Sequence, residues 1–310
     1  MIEVRDLTRV YRATTAVEDL SFRVQPGTVT GFLGPNGAGK STTMRMMVGL
    51  ERPTRGWAHI DGRPIAELAS PLREVGVLLD ADACPAGMTA RGHLRWLARA
   101  AGVGTGRIGT GRIGTVLERV GLGGAGDRRI GTMSLGMRQR VGLAAALLAD
   151  PATLILDEPV NGLDPDGVRW LRGLLRDLAA EGRTVLLSSH LMSEMEQTAD
   201  RVVVIGRGRL VAELDLADMR RAAVPVRLRT VDPDRVLAEL RDRVASVATR
   251  AVDGDALEVV GATPDEIGVA AHAVGSAVLE LAPRARSLEE IYLQLTDDAV
   301  DYRAGTEVSR

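Results

Sequence analysis

Gly34-Pro35-Asn36-Gly37-Ala38-Gly39-Lys40-Ser41-Thr42 is the segment from which the rest of the chain can be arranged. It satisfies G-x-x-x-x-G-K-[ST], with an additional glycine at 37. Upstream, Val29-Thr30-Gly31-Phe32-Leu33 reads as a short buried strand; downstream, Ser41 to Leu50 reads as a methionine-rich helix. Strand, glycine loop and helix start form a cradle for phosphate. Glycines let backbone N–H groups curl inward, and the helix N-terminus adds partial positive charge. In such a cradle Lys40 reaches the β- and γ-phosphates of a bound nucleotide and the Ser41 hydroxyl binds Mg2+. Lys40 is the only lysine among 39 Lys and Arg residues. A compact ammonium on a thin stem enters a crowded anionic site that a broad guanidinium does not.

Further along, Thr153-Leu154-Ile155-Leu156-Asp157-Glu158-Pro159 reads as a buried strand with two carboxylates at its C-terminal end, where ligands of open α/β sheets gather. Asp157 suits the Mg2+ shell, and Glu158 suits polarising a water for attack on a γ-phosphate. Between the two motifs, Thr89 to Ala100 and Met137 to Ala149 show helical spacing of Leu, Val and Ala. A helical subdomain over about 85–150 is therefore expected as an insertion.

These motifs, in this order, resemble the ATP-binding subunit of an ABC transporter over about residues 1–220. The resemblance implies an α/β fold of the P-loop NTPase class, an ABC cassette with a mixed sheet core. It also implies that Tyr11 stacks on adenine and that Ser134-Leu135-Gly136-Met137-Arg138-Gln139-Arg140 is the signature segment. Asn161-Gly162-Leu163-Asp164 corresponds to the loop after the catalytic glutamate, and His190, after Thr184-Val185-Leu186-Leu187-Ser188-Ser189, to the switch histidine. Ser134 is placed to cap a helix beginning near Leu135, and Gly136 to allow close approach of backbone N–H groups to an anion. In the family two copies pack head-to-tail, each signature closing over ATP held by the other, beneath an integral-membrane permease. The implied location is cytoplasmic, peripheral on the inner face of the cell membrane.

Two departures mark a branch. Leu135 and Met137 stand where the common signature has glycine and glutamine. Asp80 stands where the family has the Q-loop glutamine, with Asp82 a neighbouring candidate; a shorter, anionic side chain there touches Mg2+ or water only with loop adjustment. Both features resemble exporters of the daunorubicin- and bacitracin-resistance type, implying drug or antibiotic efflux. Two other readings are a soluble ABC ATPase of translation or DNA repair and a non-hydrolysing nucleotide sensor. The first usually carries two cassettes or a long coiled coil. Aromatics at 3% offer no basic patch interleaved with stacking residues, so no nucleic-acid partner is expected.

Apolar residues at 45% and charged residues at 26%, with a net charge of −2 over 310 residues, describe a soluble globular chain of two units. The start, MIEVRDLTRVYR, has no signal-peptide run, and the single cysteine, Cys84, forms no internal disulfide. Gly104 to Thr115 reads GTGRIGTGRIGT; its glycines predict a flexible surface loop with Arg107 and Arg112 solvated. Arg220 to Pro225 reads as a linker, with the boundary at 221–225. Beyond it, 226–310 is expected as a small α+β domain. Strands at Val226–Thr230, Val244–Ala251, Ala256–Val260 and Ala277–Leu281 and helices at Pro233–Arg243 and Pro264–Val274 give a βαββαβ order, ferredoxin-like. A capped helix at Ser287–Thr296 and a flexible tail after about 298 close the chain.

Overall fold

The computed structural model describes residues 1–80, 83–103, 107–221, 224–244, 246–252, 255–284 and 287–296. The expectations for Asp82, for the first residues of the glycine repeat and for the tail after 298 lie outside the described residues. The chain divides into two units, Met1–Ala217 with the residues from Tyr292 onward, and Asp218–Ile291.

In the first unit, β1 (Ile2–Tyr11), β2 (Thr14–Val24) and β4 (Arg55–Ile60) form an antiparallel sheet in the order β2-β1-β4. The main sheet uses β3 (Val29–Leu33), β5 (Val75–Leu78), β6 (Thr153–Leu156), β7 (Thr184–Ser189), β8 (Arg201–Gly206) and β9 (Arg209–Asp215), in the order β5-β6-β7-β3-β8-β9. All its pairs are parallel except β8 with β9. Every residue of β3, β6 and β7 is buried, as continuous apolar runs in a doubly covered parallel sheet require. Because the strands are parallel and in register, with Leu33 opposite Ser189 and Leu156 opposite Leu187, the loops leaving β3, β6 and β7 emerge at one edge.

Helix α1 (Lys40–Met47) follows β3 and is anchored by Met44 and Met47, both wholly buried in a core that includes Phe32, Ile155 and Leu186. Short α2 (Pro71–Glu74) precedes β5. Among the described residues, the α-helices between β5 and β6 are α3 (Ala90–Ala100), α4 (Arg107–Arg119) and α5 (Leu135–Leu147). Thr89 caps α3 and Ser134 caps α5, each hydroxyl accepting the N–H three residues on. Helix α6 (Pro165–Ala180) starts with proline after an Asp164 cap, followed by α7 (Met192–Thr198) and α8 (Leu216–Arg221).

The glycine repeat corrects its expectation. Residues 107–115 belong to α4 instead of a loop, and Arg112 is engaged instead of solvated. Ile113, Val116, Leu117 and Val120 are buried at the spacing of one helix face. Each such side chain contributes about 1.5–3 kcal/mol when fully buried. That exceeds the roughly 1 kcal/mol lost at each of Gly109, Gly111 and Gly114. Arg112 Nε and an Nη donate to the carbonyls of Leu148 and Leu147 at 3.1 and 3.2 Å, closing the C-terminus of α5. The expected linker also begins later than its composition suggested, since Arg220 and Arg221 end α8.

The second unit runs β10 (Val226–Thr230), α9 (Pro233–Arg243), β11 (Ala248–Ala251), β12 (Leu257–Val260), α10 (Pro264–Ala273) and β13 (Val278–Pro283). Its sheet order is β11-β12-β10-β13 with every pair antiparallel, the ferredoxin-like arrangement. Val226 and Leu228 alternate with Arg227 and Arg229, so β10 turns its apolar side to a core with Val236, Leu240, Val259 and Ile267. Thr263 and Glu266 form a capping box at α10. The last helix among the described residues, α11 (Leu288–Thr296), follows Ser287, whose hydroxyl accepts the Glu290 N–H at 3.1 Å.

Candidate nucleotide site

Between β3 and α1 the chain turns through Gly34–Gly39. Gly39 has φ +100°, and a Cβ there would lie 2.6 Å from the Ala16 carbonyl oxygen, so only glycine fits. Gly34 and Ala38 are buried beneath the loop, whereas Pro35, Asn36, Gly37, Gly39, Lys40, Ser41 and Thr42 line a cavity of about 270 Å3 with Glu158 and Ala16. Lys40 is only 7% exposed, and its ammonium donates to the Gly34 and Pro35 carbonyls at 2.6 and 3.3 Å. Burial pushes its pKa below the ordinary lysine value, with Glu158 and then Asp157 acting in the opposite sense.

The carboxylates follow β6. Asp157 is tied to β5 through its N–H, which donates to the Leu78 carbonyl at 2.6 Å. Its Oδ1 accepts the Ser188 hydroxyl, and the same hydroxyl accepts the Glu158 N–H at 2.9 Å. Glu158 adopts φ +48°, and the Gln139 side-chain amide donates to its carbonyl at 3.1 Å. His190 Nδ1 lies 2.9 Å from Glu158 Oε2. Sequence reasoning assigned no role to Ser188 or Gln139. The signal for Ser188 was a pair of hydroxyls ending an otherwise apolar strand; Gln139 lay within a motif already attributed to phosphate.

Other candidates lie elsewhere. Tyr11 is 40% exposed at the end of β1, outside the cavity lining; its hydroxyl bonds Glu51 and the Arg9 guanidinium sits 4.5 Å from its ring centre. Asp80 is exposed just beyond β5. Ser134 and Gly136, at the tip of α5, are also absent from the lining. A Cβ on Gly136 would lie 2.6 Å from the Gly162 carbonyl oxygen, so part of the demand for glycine here is internal packing. Asp164 Oδ1 accepts the Gly167 N–H at 2.8 Å as the cap of α6.

Ser41 lines this cavity and Asp157 is not among its lining residues, but both carry the kind of oxygen that Mg2+ takes. Ser41 and Asp157 offer hard oxygens, and the hydrogen bonds among the described residues occupy one Asp157 oxygen. No group of three acidic, histidine or cysteine ligands occurs among the described residues. A cation that keeps waters and takes phosphate oxygens needs no such cage.

A Bacillus subtilis protein described as an uncharacterized ABC transporter ATP-binding protein is 43% identical over 214 residues, 68% of this chain and 68% of its own length. This chain belongs to the ATP-binding subunits of ABC transporters. The ABC transporter family profile matches residues 17–161 of this ATP-binding subunit, and a domain of unknown function matches 224–289. The bacitracin transport ATP-binding protein of Bacillus licheniformis is 40% identical over 71% of the ABC ATPase and 72% of its own length. A Nod factor export ATP-binding protein I of Burkholderia pseudomallei is 36% identical over 95% and 96%. Among solved structures, an ATP-binding subunit of an ABC transporter superposes with a TM-score of 0.62 at 32% identity, covering 71% of this chain and 92% of that one. A dimeric bacterial ABC cassette shares the fold, with a TM-score of 0.65 at 23% identity over 70% and 99%. The ABC ATPase binds ATP and hydrolyses it in transport. No helix of the described residues is long and apolar enough to cross a membrane.

Proposed function

We propose that this ABC ATPase powers an exporter of drug or antibiotic cargo, as a head-to-tail dimer on a separate integral-membrane permease at the inner face of the cell membrane. The names of the bacitracin and Nod factor relatives support export, and the latter are similar over nearly the whole chain. One observation carries the hydrolytic reading: Lys40, Ser41 and Glu158 share a single cavity at the loop edge of the sheet.

In this reading the loop amides and Lys40 bind the β- and γ-phosphates of ATP, and Tyr11 offers its exposed ring to the adenine. Ser41 and Asp157 would hold Mg2+, which would neutralise phosphate charge, and Asp80 would reach that ion only with loop adjustment. Glu158 orients the attacking water and accepts its proton. His190 fixes the Glu158 carboxylate through Nδ1, leaving Nε2 to meet the γ-phosphate. Ser134 and Gly136 lie outside the chain's own cavity, so they serve the nucleotide of the second copy, with Asp164 at the same junction.

Glu158→Gln keeps shape and removes the base. It is expected to retain ATP binding, slow turnover by about 100-fold or more, and accumulate an ATP-dependent dimer on gel filtration. A variant that stays monomeric with saturating ATP at high concentration would sink the dimer mechanism.

A further inference from the structure

We propose that Gln139 is a positioning residue for hydrolysis: its side-chain amide fixes the backbone of Glu158 and thereby aims the carboxylate into the nucleotide cavity. The proposal rests on the reading of Glu158 as the catalytic base. Glu158 sits at φ +48°, a left-handed conformation that side-chain-bearing residues rarely adopt and that persists only where the surroundings over-determine it. Here the surroundings are side chains brought from two other elements. The Glu158 N–H donates to Ser188 Oγ at 2.9 Å, and the Glu158 carbonyl accepts from Gln139 Nε2 at 3.1 Å as well as from the Asn161 N–H at 3.2 Å.

Gln139 is 3% exposed on a helix whose other buried positions include Val141, Leu143, Ala144 and Leu147. An amide in such company is costly unless it is paired, and the pairing it makes is to Glu158. Leu135 and Gly136, one turn earlier on the same face of α5, close on Gly162 at the end of the same loop. The helix therefore grips the Glu158–Gly162 segment at both ends, and Gln139 is the grip nearest the carboxylate. His190 meets that carboxylate from the other side at Oε2.

Gln139→Leu preserves size and helix preference while deleting the donor. Its kcat is expected to fall about 10- to 100-fold, as displacement of a reacting group does. KM for ATP and the affinity for a fluorescent ATP analogue should stay within about twofold, because the loss is confined to the transition state. In single-turnover assays on the Glu158→Gln background, adding Gln139→Leu should cost nothing further, since both changes remove one function. Gln139→Ala, the better helix former, serves as the second variant should leucine prevent soluble expression. Parental kcat, a raised KM at unchanged kcat, or losses that multiply in the double variant would each overturn the proposal. If Glu158→Gln alone leaves turnover intact, the reading of the base has failed instead; if it abolishes turnover while Gln139→Leu is parental, only the role of Gln139 has failed.

Discussion

At Lys40 the ammonium donates to two carbonyls of its own loop while the surrounding loop and carboxylates leave little of it exposed. A guanidinium would bring a broad planar fork into a space that a compact ammonium on a thin stem fills. Lys40→Arg keeps the charge, yet it is expected to weaken ATP binding at least tenfold, about 1.4 kcal/mol, in a titration with a fluorescent ATP analogue. Affinity within about twofold of the parent would mean that charge alone suffices. The same residue-level logic explains the serine at 188. One hydroxyl donates to Asp157 and accepts from Glu158, so it orders both carboxylate-bearing residues at once.

Helix α4 is made by what it packs against. Its glycines weaken it locally, but the buried Ile113–Val120 face and the contact of Arg112 with the end of α5 decide the outcome. Arg112→Ala is expected to cost about 1–3 kcal/mol in chemical denaturation, because it strips carbonyls and a carboxylate of a charged donor. Asp150 is the carboxylate concerned, 3.0 Å from Arg112 and 2.9 Å from Arg183. Burial works against its ionisation, but hydrogen bonds from Arg183 and Arg112 outweigh that and hold its carboxyl below the ordinary value. A carboxyl whose folded pKa is depressed adds stability above its unfolded value, near pH 4, and loses it as pH falls through the folded value. Asp150→Asn should therefore be less stable than the parent at neutral pH, with the two denaturation curves converging in strong acid. A gap that persists below both pKa values would point to lost packing instead of lost charge.

Across the whole molecule, every candidate site residue lies within Met1–Ala217, while the Asp218–Ile291 unit has a core of its own. Leu240→Ala in that second core is expected to cost the unit about 2–5 kcal/mol on denaturation. ATP affinity in the same preparation should remain unchanged. Much of this organisation was legible beforehand. The glycine loop between a buried strand and a helix, the apolar run ending in Asp157 and Glu158, and the βαββαβ order all rest on neighbours in sequence, where spacing and periodicity carry the information. Where local preference and distant packing disagreed, as at the glycine repeat, the local reading missed.

Thus the residue types and their spacing were enough to specify a phosphate cradle, a carboxylate strand and the alternation of strands and helices, because covalent connectivity alone sets those relations. Only the folded sheet put β7 between β3 and β6, bringing Ser188 to Asp157 and Glu158, His190 to the Glu158 carboxylate, and Gln139 to the Glu158 carbonyl. Those meetings depend on burying side chains far apart in the chain against one another, and no local pattern in the sequence encodes them.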